Sequence, residues 1–185
     1  MTTELNLKSD SCLEFAYGRI MPGEEKWMAE EYFGSMGPAL MANGFRRLVA
    51  GGVLATNVKD MTPVMAVFSA WPSAAKRAAF QSDPGFLAIQ PERDKRLEMS
   101  DGHLFEPIDE VISLNTDADY AIVIAGDNSR LPEPIVSLPL SADTHDATFA
   151  GKSISLLPWS DAADDLLSLD PEQATVFRVR FEPAS

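Results

Sequence analysis

Apolar positions along the chain change period several times, and each change predicts an element. LEFAYGRI, residues 13–20, packs apolar and aromatic types into a short run closed by Met-Pro-Gly, which predicts a strand and a turn. From Glu24 the spacing Ala29, Phe33, Met36, Leu40 predicts a helix with one apolar stripe, acidic residues in its first turn and a left-handed stop at Asn43-Gly44. Gly34, Gly37 and Pro38 should loosen or kink its middle. FRRLVAGGVLA, 45–55, and PVMAVFSAW, 63–71, are rich enough in β-branched and aromatic types to be strands, and the polar NVKDMT between them makes a hairpin with a longish loop. Ser73 after Pro72 is an N-cap, and Ala74, Ala75, Ala78 and Ala79 give the following helix a thin face that can lie close to a sheet. Asp83-Pro84 starts another helical turn, Asp as cap and Pro at the first position, and GHLFEPID, 102–109, reads as a fourth strand.

The resulting order β-α-β-β-α-β predicts an α+β fold of ferredoxin-like type. ADYAIVIAG, 118–126, opens the remainder with a strong strand, followed by a Pro-rich stretch with one short strand at 135–140, then GKSISLL and Trp159, a short helix from Asp161 to Ser168, and the alternating strand ATVFRVRF, 174–181. Trp159 echoes Trp71, and Asp170-Pro171 echoes Asp83-Pro84. Two organisations fit: a degenerate second ferredoxin-like half without a clear first helix, or an unrelated C-terminal extension. The division expected is residues 1–110 for the α+β barrel domain and 111–185 for the extension or second copy.

Charge narrows the partners. Across 185 residues, 28 Asp and Glu oppose 15 Lys and Arg, a formal net charge of -13. A phosphate backbone or an anionic bilayer would be repelled over most of such a surface, so neither nucleic acid nor membrane is expected as a partner. Cys12 is the single cysteine, which rules out an intrachain disulfide and a thiolate zinc site. With no cationic start and apolar run at the N-terminus, and no apolar stretch near the ~20 residues of a membrane span, a cytoplasmic location is expected.

MGPALMANGFRRLVAGG, the strand-to-helix phrase from Phe68 through Ser73, the step Ser82-Asp83-Pro84-x-Phe86, and Arg93 in the next helical segment resemble the family called domain of unknown function 1330, of the dimeric α+β barrel superfamily. The resemblance covers about residues 13–109. It implies a four-stranded antiparallel sheet with helices on one face, and a second sheet closing over the other face to make a barrel. That second sheet comes from a homodimer partner or, since this chain is longer than the family's usual one, from a pseudo-dimer within one chain. It also implies a small organic ligand in the cleft between facing sheets, bound or transformed there as superfamily relatives such as cofactor-free oxygenases do. The other outcome is a non-catalytic association module whose sheet face is used up by oligomerisation.

Few residues carry candidate chemistry. His103, with Asp101 and Glu106 near it in sequence, is the candidate general base, or else a strand-end histidine with no task. Arg93, Arg46 and its neighbour Arg47 are candidates to hold a carboxylate or enolate, or else to pair with the many acids. Tyr17 and Trp71 are candidate ligand-cavity lining, core packing being the alternative. His145, between Asp143 and Asp146, resembles a metal loop only superficially, and no metal site or cofactor is assigned. Gly151-Lys152-Ser153 lacks the earlier glycine of a phosphate loop, and no serine-hydrolase elbow, dinucleotide turn or zinc-protease helix motif occurs.

Overall fold

A computed structural model describes residues 2–6, 12–59, 63–107, 111–129, 131–140 and 151–182. The first strand of the predicted unit is β2, Cys12–Ile20, preceded by a strand β1, Thr2–Asn6, that the pattern of the sequence did not predict. The first helical segment runs as α1, Glu25–Trp27, a π-helical turn, Met28–Tyr32, and α2, Phe33–Ala42. Then follow β3, Arg46–Thr56, β4, Met65–Trp71, α3, Ala74–Gln81, and α4, Pro84–Asp94. β5 spans Leu97–Phe105, five residues earlier than the expected start at Gly102.

The second half holds β6, Val111–Asn115, β7, Asp119–Ala125, β8, Val136–Pro139, β9, Ser153–Pro158, α5, Asp161–Asp164 with a 3-10 turn Asp165–Ser168, and β10, Ala174–Glu182. Asp170-Pro171 starts no helix; its Oδ1 accepts from the Glu172 N–H at 3.1 Å in a turn leading into β10. The expected loop at Asp143, His145 and Asp146 lies outside the described residues.

Capping residues act where the spacing placed them. The Ser73 Oγ accepts from the Lys76 N–H at 3.2 Å, and the Asp83 Oδ1 accepts from Gly85 and Phe86 at 2.8 and 3.3 Å, with Pro84 at the first helical position. Gly44 takes φ +75° just past α2, the left-handed stop. The apolar stripe of the first helical segment differs from the expected one. Ala29 is exposed and Phe33 is 51% exposed, while Met28, Tyr32 and Met36 are buried. The π turn accounts for this: its wider winding brings residues four apart into line and shifts the inward face by one residue.

An eight-stranded antiparallel sheet runs β5-β2-β4-β3-β10-β7-β9-β8, and β1 pairs with β6 in a separate ribbon. Within the first half the order fourth-first-third-second is that of a ferredoxin-like unit, and β10-β7-β9-β8 repeats it with the second half's own strands. The halves join where β3 pairs with β10. Gly51 belongs there, since a Cβ on it would collide with the Arg180 carbonyl of the neighbouring strand. The sheet curls until its outermost strands meet: Phe105 bridges Leu140, and the Glu106 N–H donates to the Pro139 carbonyl at 2.9 Å. The chain is thus an α+β barrel built from a ferredoxin-like half and a degenerate second half.

Three apolar clusters follow from this arrangement. Leu13, Phe15, Phe68, Ile122, Ile124, Phe177 and Phe181 fill the space between the halves, joined by Ile112 and Leu114 of β6. Ala121, Val123 and Val176 lie beneath Ala163 and Leu166 of the short C-terminal helical segment. Met28, Tyr32, Met36, Trp71, Phe80 and Phe86 pack the first half's helices on the outer face of its sheet. No helix among the described residues is long and apolar enough to cross a membrane.

Candidate functional site

Alternation along β2 decides where a ligand can go. Leu13, Phe15 and Tyr17 turn into the barrel, where the second half meets them, and Glu14, Ala16 and Gly18 turn toward the helices. Between the halves large buried side chains pack against one another, and a pocket among Leu13, Phe68 and Ile154 holds about 10 Å³, too little for an organic ligand. On the helix side the small residues Ala16, Gly18, Ser100 and Gly102 leave room, and a cavity of about 430 Å³ opens between sheet and helices. That volume lies in the range of small-molecule sites.

The walls are aromatic. Trp71, at the end of β4, stands 5.0 Å from Phe45 and 5.6 Å from Phe80 between ring centroids, and Phe80 is 4.9 Å from Phe86. Arg93, in the last turn of α4, places its guanidinium carbon 5.2 Å from the Phe86 ring centroid and 5.7 Å from that of Tyr32, and bonds Asp94 through Nε at 2.8 Å. Burial works against charge on Arg93, but Asp94 and the Tyr32 hydroxyl outweigh it and lift its pKa above the ordinary arginine value. Phe33 lines the cavity and is half exposed, so the cavity reaches the surface beside α2.

One carboxylate lies in the floor. Glu14 is 9% exposed, and its Oε2 accepts from Ser69 Oγ at 3.0 Å and from Trp71 Nε1 at 2.8 Å, while Oε1 accepts from Arg77 Nε at 2.6 Å. Arg77 also donates through Nη2 to the Gly102 carbonyl at 3.2 Å, fastening α3 to β2 and β5. Glu14 and Arg77 were not among the expected site residues. The signal for Glu14 was an acid in the middle of an apolar strand, on the face it shares with Ala16 and Gly18.

The expected site residues do not converge. Trp71 and Arg93 line the helix-side cavity; Tyr17 borders it, but its ring packs inside the barrel, 4.6 Å from that of Phe177. His103 does not line it: 3% exposed and paired in register with Phe15, it faces the barrel interior, its ring centroid 6.5 Å from that of Tyr17. Its Nε2 stands 3.2 Å from Asp101 Oδ2, close enough for a charge interaction yet outside good hydrogen-bond alignment, and the Tyr17 hydroxyl donates to the same oxygen at 3.1 Å. Burial pushes the Asp101 carboxyl up, but His103, the Gly102 N–H and Tyr17 together hold it below its usual value. Arg46 and Arg47 open β3 as exposed residues outside the cavity. Among the described residues, no three His, Cys, Asp or Glu side chains converge on a point where a metal ion could bind.

No protein-family model matches the chain, and no curated protein is significantly similar to it in sequence. Among solved structures, an anthrone oxidase-like protein superposes with TM-score 0.54 at 11% identity, covering 97% of this chain and 94% of that one. A putative monooxygenase from Lactobacillus acidophilus gives TM-score 0.43 at 7% identity over 93% of this chain and 94% of that one. A protein of unknown function from Rhodopseudomonas palustris gives 0.42 at 18% identity over 59% and 84%. At these identities the likeness is one of fold, and the first superposition carries it: the chain shares an α+β barrel architecture with that protein over nearly its whole length.

Proposed function

We propose that this chain binds a planar, weakly acidic aromatic molecule, of the hydroxyaromatic or aromatic-ketone kind, in the helix-side cavity of its first half. The observation that carries the reading is the cavity itself, about 430 Å³ with walls of Trp71, Phe80, Phe86 and Tyr32 and a cationic group, Arg93, above them. Flat apolar walls favour a flat ring system, and a guanidinium stacked on aromatic rings favours a ligand oxygen that carries partial or full negative charge. A net charge of -13 repels fully ionised ligands at long range, which favours a molecule that arrives neutral and becomes anionic beside Arg93. Support for oxygenase-type chemistry on such a ligand comes from the name of the anthrone oxidase-like protein that shares the fold. Fold alone does not fix a reaction, so the proposal commits to ligand class first.

The test is a thermal-shift series with phenol, 2-naphthol, 1,8-dihydroxyanthraquinone and naphthalene. A ligand that binds only the folded chain raises the midpoint in proportion to ln(1 + [L]/Kd). The two- and three-ring hydroxyaromatics should raise it, naphthalene should do so less, and Arg93→Met should shrink the difference between them. A midpoint unmoved by all four compounds at millimolar concentration would sink the reading.

A further inference from the structure

We propose that the π turn at Met28–Tyr32 sets which ligands the helix-side cavity accepts, an inference that rests on the reading of that cavity as a binding site. In an uninterrupted α-helix each residue turns the chain by about 100°, so one residue more or less rotates everything on its far side by that amount. The π turn holds such an extra residue, and it does so against the cavity wall. Of its five residues, Met28 and Tyr32 are buried at 5% and 7% exposure and line the cavity, while Ala29, Glu30 and Glu31 face solvent.

Both ends of the helical segment are pinned, so the extra winding cannot relax by rotation. At the start, Glu24 accepts from Arg96 Nε at 2.9 Å, and the Arg96 guanidinium lies 4.0 Å from the Trp27 ring centroid. At the end, Asn43 donates through Nδ2 to the Ala39 carbonyl at 2.9 Å, Gly44 turns the chain, and Phe45 packs on Trp71. Between these anchors the wide turn aligns Met28 behind Tyr32, and Tyr32 sits beneath Arg93. A continuous α-helix held at Met36 of α2 would turn Ala29 inward in place of Met28, with a methyl group where a thioether now stands. The turn therefore supplies an adaptable sulfur beside the Tyr32 ring, on the wall nearest the cationic group.

Exchanging two neighbours of the turn, Met28→Ala with Ala29→Met, keeps its composition and carries the thioether to the solvent face. The exchange should weaken binding of 2-naphthol and 1,8-dihydroxyanthraquinone at least fivefold, measured by quenching of intrinsic tryptophan fluorescence, while Glu30→Ala leaves both dissociation constants within twofold. Retention of the parent's affinities by a folded exchange variant, judged by its far-ultraviolet circular dichroism, overturns the inference. Single variants keep the test alive if the exchange does not fold: Met28→Ala should weaken binding at least fivefold and Ala29→Val should not, and the reverse ranking overturns it. A parent that binds neither compound defeats the cavity reading itself and this inference with it, whereas a binding parent with an indifferent exchange variant defeats this inference alone.

Discussion

A carboxylate taken out of water costs several kcal/mol unless its lone pairs are filled, and at Glu14 three donors from β4 and α3 fill them. The group therefore works as a fastener. It fixes the Trp71 indole in its plane and anchors Arg77, which in turn holds the Gly102 carbonyl of β5. Removing one member leaves the others buried and unpaired, so Glu14→Ala should lower stability by about 3 kcal/mol, as for other broken buried pairs. Replacing both ends with apolar groups should cost much less, so Glu14→Leu with Arg77→Met should recover more than half of the loss. Urea unfolding of the two single variants and the double variant checks this, and purely additive losses would show that the two side chains are not coupled. Glu14 also marks how far the site could be read from sequence. An acid inside LEFAYG was visible, but its three partners lie 55 to 63 residues away, and only the antiparallel pairing of β2 with β4 brings them to it.

Local punctuation, by contrast, was legible because it depends on neighbours within a turn. Ser73, Asp83-Pro84 and Asn43-Gly44 act as the spacing predicts, and the strand-to-helix phrase at Trp71-Pro72 is a strand end followed by a capped helix. Asp83→Ala should therefore cost about 1 kcal/mol, the usual value of a lost cap, and Asp83→Asn should restore most of it. Equal urea midpoints for the alanine and asparagine variants would show that the side-chain oxygen contributes nothing. The consequence reaches the cavity, because Phe86 is one of the two residues whose N–H the cap holds, and its ring supports Arg93. Elements that depend on distant partners were not legible. The β1–β6 ribbon joins segments over a hundred residues apart, and the π turn exists between anchors supplied by Arg96 and by the end of α2. The echo at Asp170-Pro171 is one of sequence alone, since the same dipeptide that opens α4 makes a turn before β10.

At the scale of the whole molecule, the question is what covers the apolar inner face of the first sheet. Leu13, Phe15 and Phe68 would otherwise meet water, and a ferredoxin-like unit of this kind solves the problem with a second sheet. Here β7 to β10 supply it in the same strand order, joined through β3 and β10 at one seam and touching at Phe105 and Leu140 at the other. Among the described residues the longer helices lie on the first half, which carries the helix-side cavity, and the second half serves as cover. We infer that the barrel closes within one chain and that the protein is a monomer. Light scattering should give a mass near 20.2 kDa across the micromolar range. Residues 1–110 expressed alone should instead dimerise or precipitate, because the face that Phe177 and Phe181 now cover is left bare. A full-length dimer that persists on dilution would show that the edges around the β5–β8 contact open to a second copy, and a soluble monomeric fragment would show that the first sheet needs no cover.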